Sequence, residues 1–265
     1  MTDRVRLDVR DGVAQVTLAR PDKLNAIDFA MLDALSRLPS DIAGDKEIRA
    51  VVLRGDGDAF CTGLDFASVG KEPRRAVTGL AKLPIQTTNL FQKACWAWRE
   101  LPVPVLAVLH GHCYGGGLQL ALAADFRVAT PDCQMSIMEG KFGLIPDMTG
   151  SVTLRELIPM DLAKYLTMTA EVFDGSRALE YGLVTDIADD PFAAAETMVA
   201  KLVDRSPDSL AATKKLFHET WTASPRSAFW TETVLQARLV TGKNHKIART
   251  GGGRSGLSWV PRSLG

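Results

Sequence analysis

Two glycine-rich segments of the chain each follow an apolar run that is typical of a buried strand. Residues 59–65 follow the run 48–54, and residues 111–117, which end in three glycines, follow the run 102–110. Such turns expose backbone N–H groups, and the second segment also opens a helix, whose first N–H groups lack acceptors and whose dipole favours negative charge. The two segments therefore predict a site for an anionic oxygen. The alternative is that the glycines only permit tight turns and close helix–sheet packing.

Motifs for several other kinds of chemistry are missing. The sequence contains no G-x-x-x-x-G-K-[ST] phosphate loop and no G-x-S-x-G nucleophile elbow, and the run from Gly111 lacks G-x-G-x-x-G spacing. No set of His, Asp and Glu residues has metal-ligand spacing, so we expect no metal site. Of the four histidines, only His112 lies near enough to the glycines to be a minor catalytic candidate.

Composition limits the class of protein. The 265 residues are 46% hydrophobic, and 31 Lys and Arg balance 31 Asp and Glu, so nucleic acid is not an expected partner. Four irregularly spaced cysteines without a CxxC pair argue against a zinc site or a disulfide framework. No apolar run approaches the roughly 18 residues of a membrane span, and the N-terminus lacks an apolar signal core. We expect a cytoplasmic protein that does not enter membranes.

Hydrophobic periodicity predicts alternating strands and helices up to about residue 150 and mainly helices after it. The polar stretch 67–84 predicts a mobile loop, and the glycines from Gly251 onward predict a flexible tail. The predicted strands cover residues 5–10, 13–19, 48–53, 102–109, 126–129 and 135–138, and helices are predicted at 28–43, 118–124 and 227–240, among others.

Three blocks of the sequence resemble the signature segments of the crotonase, or enoyl-CoA hydratase/isomerase, superfamily: residues 20–26 (Arg-Pro-Asp-Lys-Leu-Asn-Ala), 60–65 and 111–125. The resemblance covers about residues 5–240 and implies an α/β fold, a crotonase-type spiral of β-β-α units with a helical C-terminal region. Residues 1–205 would form the core with the acyl-CoA site. Residues 206–265 would form the oligomerisation region and tail of a homotrimer or homohexamer.

The resemblance also implies the roles of site residues. The N–H groups of Leu64 and Gly116 would hold the thioester oxygen of an acyl-CoA substrate, and no cofactor is implied beyond the coenzyme A that the substrate carries. Lys23 could instead be a solvated loop lysine, and Asp65 and Asp125 could be structural carboxylates at turns, the role we prefer for Asp125. The implied substrate-binding residues are Lys23, Leu24, Thr62, Gly63, Asp65 and Gly115.

The carboxylates decide which reaction is expected. Hydratases of the superfamily hold water between two glutamates, and this chain has Gln119 at the first position and Glu139 at the second. An amide cannot act as a general base, although it can orient water. Asp147, eight residues after Glu139, matches a catalytic aspartate of the superfamily's dienoyl-CoA isomerases.

We therefore predict a double-bond isomerase in which Glu139 and Asp147 form the proton-transfer pair. One alternative is an enoyl-CoA hydratase in which Gln119 orients the water, and another is a non-catalytic protein that binds acyl-CoA. Asp147 has an alternative role too, as the N-cap of a following helix.

Overall fold

A computed structural model of the chain describes residues 4–251 and 258–264, which form a mixed α/β fold. The strands are β1 (Val5–Arg10), β2 (Val13–Leu18), β3 (Ala50–Gly55), β4 (Val105–Leu109), β5 (His112–Tyr114), β6 (Phe126–Ala129), β7 (Gln134–Ser136) and β8 (Asp186–Ile187). The helices are α1 (Phe29–Gly44), α2 (Phe66–Val69), α3 (Pro73–Leu80), α4 (Leu90–Arg99), α5 (Gly116–Leu122), α6 (Gly150–Leu157), α7 (Met160–Thr169), α8 (Gly175–Tyr181), α9 (Pro191–Val203), α10 (Pro207–Thr220), α11 (Pro225–Thr241) and α12 (Lys243–Arg249), with 3₁₀ turns at Pro21–Lys23 and Met138–Phe142.

A six-stranded sheet in the order β1-β2-β3-β4-β6-β8 forms the centre of the fold, and β5 pairs with β7 in a separate small sheet. Strands β1 and β2 form the predicted antiparallel hairpin, whose turn residues Asp11 and Gly12 both have positive φ, as a type I′ turn requires. The other strand pairs described are parallel. This arrangement confirms the predicted fold class.

Both faces of the sheet are buried, which explains why its central strands are continuous apolar runs. Val51 and Leu53 of β3 pack into the main core with α1 and α4, whereas Val52 faces a smaller cluster that includes Ala195 and Val199 of α9. Strand β4 alternates in the same way. Its predicted start at residue 102 was too early, because Pro104 has no N–H to donate to a neighbouring strand and β4 begins at Val105.

The stretch 67–84 is not simply a loop, as its polarity predicted, because it contains most of α2 and all of α3. Helix α3 is held by ionic and aromatic contacts rather than by a wide apolar face. The Arg75 guanidinium lies 2.6 Å from the Asp33 carboxylate and 4.5 Å from the centre of the Phe29 ring. These partners lie on α1, more than forty positions away, so the local pattern does not reveal them.

The C-terminal residues 258–264 return to the fold, so the prediction of a flexible tail was wrong for this segment, while residues 252–257 and 265 lie outside the described residues. Arg262 is only 3% exposed, and its guanidinium donates to carbonyl oxygens just after α1. Asp208 of α10 accepts from the backbone N–H groups of Ser263 and Leu264. A domain boundary near residue 205 stays a prediction. Among the described residues, no helix is both long and apolar enough to cross a membrane.

Candidate active site

The two glycine-rich segments lie side by side. The N–H of Cys61 donates to the carbonyl of His112 over 3.0 Å, and the N–H of Tyr114 donates to the carbonyl of Cys61 over 2.9 Å. A Cβ on Gly63 would lie 2.9 Å from the Tyr114 oxygen, and one on Gly117 would lie 2.4 Å from the Cys61 oxygen. Both glycines are therefore needed for the close approach of the segments.

This approach brings together two N–H groups without acceptors in their own segments. Ile27 donates to the Gly63 carbonyl over 2.7 Å and accepts from the Asp65 N–H over 2.9 Å, so the Leu64 N–H points away from Ile27. Gly116 is the first residue of α5, and its N–H has no acceptor within the helix. A Cβ on Gly63 would lie 3.2 Å from the Gly116 nitrogen, so this donor is close to the Leu64 segment. The arrangement suits an oxyanion hole.

Helix α5 begins two residues before its predicted start, because the glycines form its first turn. Gly115 is the N-cap, with φ 49° and ψ −123°, a conformation that favours glycine. A Cβ on Gly116 would lie 2.8 Å from the Sδ atom of Met148, so this side chain packs directly against Gly116. No sequence pattern points to Met148, because its contact with Gly116 depends on the approach of a distant turn.

Glu139 lies against the same glycines. Its Oε1 atom would lie 3.4 Å from a Cβ on Gly115 and accepts a hydrogen bond from Gln119 Nε2 over 2.6 Å. Its Oε2 atom is buried and has no hydrogen-bond partner in the described structure. Burial raises the pKa of Glu139, the Gln119 hydrogen bond opposes this rise, and the charge of Asp147 adds to it. A carboxyl with a raised pKa and one unpartnered oxygen is suited to proton transfer.

Gln119 is buried and joins three parts of the site. Its Oε1 atom accepts from the N–H of Met148 over 2.8 Å and from the N–H of Gly150 over 2.9 Å, while its Nε2 donates to Glu139. The amide therefore connects α5 to the 3₁₀ turn of Glu139 and to the turn before α6.

Asp147 is half-buried, and burial raises the pKa of its carboxyl. Its alternative role as a helix N-cap was wrong, because α6 begins at Gly150 and its N-cap is Thr149. Thr149 has φ +82°, an unusual conformation for a β-branched residue. The Asp147 carboxylate is thus not used as a cap, and its charge influences Glu139.

Three of the predicted coenzyme A residues, Lys23, Leu24 and Thr62, lie close together. The Thr62 N–H donates to the Leu24 carbonyl over 3.2 Å, so the blocks 20–26 and 60–65 are in contact. Lys23 is exposed on the 3₁₀ turn, a position open to a ligand as much as to water. Sequence reasoning missed Asn25, whose buried amide accepts from Arg20 N–H and donates to the carbonyls of Asp56 and Ala59.

The two turn aspartates have structural partners. Asp65 is the N-cap of α2, and hydrogen bonds from Ser68, with the Arg20 guanidinium 2.8 Å away, lower its pKa to about 2. Asp125 accepts from Val105 N–H and from Lys214 Nζ, both over 2.7 Å. The structural role preferred for Asp125 is confirmed, and Asp65 fills such a role whether or not it also contacts substrate.

The histidines have local partners. His112 Nδ1 lies 3.0 Å from the Tyr114 hydroxyl, and His110 Nε2 lies 2.9 Å from the Gly57 carbonyl. Burial and nearby cations lower the pKa of His218 to about 4, beside Asp125 and away from the glycine-rich segments. No group of three or more His, Cys, Asp or Glu suited to a metal occurs within residues 4–251 and 258–264.

Comparison with known proteins gives consistent matches. The family model described as enoyl-CoA hydratase/isomerase matches residues 8–251. The (E)-benzylidenesuccinyl-CoA hydratase of Thauera aromatica is 30% identical over 214 residues, 80% of either chain. The carnitinyl-CoA dehydratase of Salmonella typhi is 29% identical over 227 residues, 83% of this chain and 82% of that protein. The solved enoyl-CoA hydratase of Thermoplasma volcanium superimposes with a TM-score of 0.84 at 26% identity, over 94% of this chain and 97% of that one.

Proposed function

The chain belongs to the enoyl-CoA hydratase/isomerase family, and on this premise we propose that it forms and reprotonates a thioester enolate of an acyl-CoA substrate. The N–H groups of Leu64 and Gly116 would hold the enolate oxygen, and Glu139 would carry the proton. The observation that carries the proposal is the state of the Glu139 carboxyl group, which lies against Gly115. Its Oε2 atom is buried and has no hydrogen-bond partner in the described structure.

The reaction we propose is a double-bond shift. Glu139 Oε2 takes a proton from one carbon of the acyl chain, and the electron pair of the broken C–H bond moves through the conjugated system onto the thioester oxygen. When that pair returns, another carbon takes a proton from a carboxylic acid, either Glu139 or Asp147, and the double bond has moved. Each N–H donor lowers the barrier because negative charge on the oxygen grows in the transition state, by about 3 to 4 kcal/mol.

Gln119 is the reason for favouring the shift over hydration. The hydratases that the sequence resembles carry a second glutamate at this position. Here the residue is Gln119, and its Oε1 atom already accepts hydrogen bonds from the N–H groups of Met148 and Gly150. It is therefore not available to accept a hydrogen bond from water. The site retains one carboxyl in direct contact with Gln119, which suits proton transfer between carbons.

Hydration is the second candidate, because the named relatives above are a hydratase and a dehydratase. In that reaction Asp147 would supply the second carboxyl, and Gln119 would orient water through the remaining hydrogen of Nε2. Incubating β,γ-unsaturated and α,β-unsaturated acyl-CoAs in ¹⁸O-water separates the candidates. A shifted double bond without ¹⁸O supports isomerisation, and ¹⁸O-labelled 3-hydroxyacyl-CoA supports hydration. Tight binding without turnover of any of these thioesters would identify a binding protein instead.

We also propose that the Leu24 and Thr62 surface, with Lys23, contacts the coenzyme A part of the substrate and that residues 206–265 assemble a homotrimer or homohexamer. Large aromatic side chains on α10, at its C-cap and on α11 are exposed in the single chain, which supports assembly through these helices. These are Phe217, Trp221, Phe229 and Trp230. Light scattering on the purified protein should give the mass of three or six chains, and a monomer would contradict this part of the proposal.

A further inference from the structure

We propose that Gln119 is a positioning residue that fixes Glu139 by its Oε1 atom and leaves Oε2 as the atom through which Glu139 transfers its proton. This inference rests on the proposed function, because it concerns the same carboxyl. It differs from the water-orienting role that the sequence suggested for Gln119, since the amide would act through Glu139 and through the turn before α6 rather than on the substrate.

The orientation of the Gln119 amide is determined by its partners. Backbone N–H groups can only donate, so the two that meet the amide, from Met148 and Gly150, must face its oxygen. The nitrogen must then face Glu139, to which it donates over 2.6 Å. Both acceptor positions of the oxygen are filled, and Gln119 is only 2% exposed, so the side chain has little freedom to turn away. Glu139 therefore always meets a donor at Oε1.

A donor at this position favours the ionised form of Glu139, against the effect of burial. The other titratable groups here are Asp147, whose charge raises the pKa of Glu139, and the buried thiol of Cys95, whose own raised pKa keeps it neutral, so that it adds no charge. A glutamate at position 119 would instead place two carboxyl groups in contact, and such a pair shares a proton rather than ionising twice. The amide thus allows Glu139 to act alone as a base.

The same amide also holds the turn that carries Met148. The two hydrogen bonds flank Thr149, whose φ of +82° is maintained by its surroundings rather than preferred by threonine. Met148 lies over Gly116, one of the proposed donors. Gln119 consequently fixes Glu139 and the Met148 turn, which packs against Gly116, relative to each other.

Two substitutions separate these roles. Gln119→Met keeps the length of the side chain but removes every hydrogen bond that the side chain makes. Gln119→Glu keeps an oxygen for the two N–H groups and replaces the amide donor to Glu139 by a second carboxyl group that must share a proton with it. Gln134→Met is the matched control, because Gln134 lies on β7 and, among residues 4–251 and 258–264, its side-chain amide donates only to the Asp132 carbonyl.

The first measurement is amide hydrogen exchange at Met148 and Gly150 in the full-length protein. We expect exchange at least about fivefold faster in Gln119→Met, because a lost hydrogen bond of this kind is worth about 1 kcal/mol or more, and little change in Gln119→Glu or Gln134→Met. Unchanged protection in Gln119→Met would overturn the positioning of the turn. This readout requires no turnover, so it tests the inference even if the proposed reaction fails.

The second measurement is the titration of Glu139 by NMR of ¹³C-carboxyl-labelled glutamate, assigned with Glu139→Gln. We expect the pKa of Glu139 to rise in both Gln119 variants and to stay unchanged in Gln134→Met. Turnover should show a kcat lower by about tenfold or more in both Gln119 variants, with KM within about twofold, because the lost interaction concerns the reacting group. A Glu139 titration unaffected by Gln119→Glu would overturn the inference, whereas full turnover in Glu139→Gln would instead overturn the proposed function.

Discussion

At the scale of single residues, the proposed oxyanion hole consists of backbone groups. The neighbouring side chains affect it mainly by their size, because small residues allow the two segments to approach closely. Gly63 has φ +87° and lies against Tyr114 and Gly116, so even a methyl group there would push the two segments apart. The side chain of Leu64, by contrast, contributes no atom to the hole. The residue type at 63 should therefore matter more for catalysis than the type at 64.

Gly63→Ala should lower kcat by about 100-fold, because displacing one oxyanion donor costs about 3 kcal/mol of barrier. Leu64→Ala is the control and should stay within about tenfold of the wild type, since only packing is lost. Steady-state kinetics with the best acyl-CoA substrate would measure both. A larger loss in Leu64→Ala than in Gly63→Ala would contradict a hole built from the backbone at this position.

The charge of Asp147 should be visible in the pH dependence. Ionised Asp147 raises the pKa of Glu139, and Glu139 must be deprotonated to act as a base, so kcat/KM should increase with pH through that raised pKa. Asp147→Asn removes the charge and should move this limb of the profile to lower pH. The control is Asp161→Asn in the first turn of α7. A limb that stays in place or moves to higher pH would show that Asp147 does not act on Glu139.

At the scale of elements, polar side chains hold the first signature block, residues 20–26, against the segment that contains the second, residues 60–65. Asn25 ties the block 20–26 to the residues just after β3, and Asp65 joins α2 to Arg20. Asn25 also has φ +55°, which asparagine tolerates better than most residues. Residues of these blocks that the sequence suggests as ligand contacts therefore also stabilise the fold.

Asp65→Asn should destabilise the protein by about 1 to 2 kcal/mol at neutral pH, because the native carboxylate is held at a pKa of about 2, below its value in the unfolded chain. That stabilisation is present above the unfolded pKa, near 3.9, and is lost as pH falls toward 2. Urea unfolding between pH 7 and pH 2.5 should show the wild type and variant converging in this acidic window. A stability difference that is constant with pH would exclude the ion pair as its cause.

The sequence predicts well those elements whose pattern is local. The strand at 126–129 has the predicted bounds, and the helix predicted from Asp28 begins one residue later because Asp28 is its N-cap and accepts from Met31 N–H. Helix α3 was missed because its stabilising partners lie on α1, and the short periodic signal was hidden by charged residues.

The candidate site, like the fold, could be predicted from the sequence only in part. Leu64 and Gly116 follow from glycine placement and the resemblance, and the structure places them on adjoining segments. The contacts of Gln119 do not follow, because its three hydrogen bonds join positions twenty to thirty-one residues apart. A sequence shows that an amide replaces a carboxylate, but not which donors its oxygen will meet.

At the scale of the whole molecule, the last described segment closes the fold onto its first helix. The Arg262 guanidinium donates to the carbonyls of Ala43, Asp45 and Ile48, of which Ala43 is among the last residues of α1, where carbonyl oxygens lack helical partners. Asp208 and Asn244 hold the same segment from α10 and α12. The segment 258–264 is thereby linked to the end of α1, to α10 and to α12.

Arg262→Ala should lower the free energy of unfolding by about 2 to 3 kcal/mol, because a buried cation and several carbonyl oxygens lose their hydrogen bonds. The control is Arg226→Ala on the exposed start of α11, which should change stability by about 0.5 kcal/mol or less. Urea denaturation would compare the two. Equal stability of the two variants would show that the C-terminal segment does not support the fold.

The central claim is that Leu64, Gly116 and Glu139 together generate a thioester enolate, and proton exchange with solvent tests it most directly. A panel of saturated and unsaturated acyl-CoAs would be incubated in D₂O with wild type and with Glu139→Gln, and deuterium in the acyl chain followed by mass spectrometry. We predict incorporation by the wild type and a loss of about 100-fold or more in the variant, with acyl-CoA binding retained in calorimetry. Incorporation at the wild-type rate in Glu139→Gln, or none in a wild type that binds these thioesters, would contradict the claim.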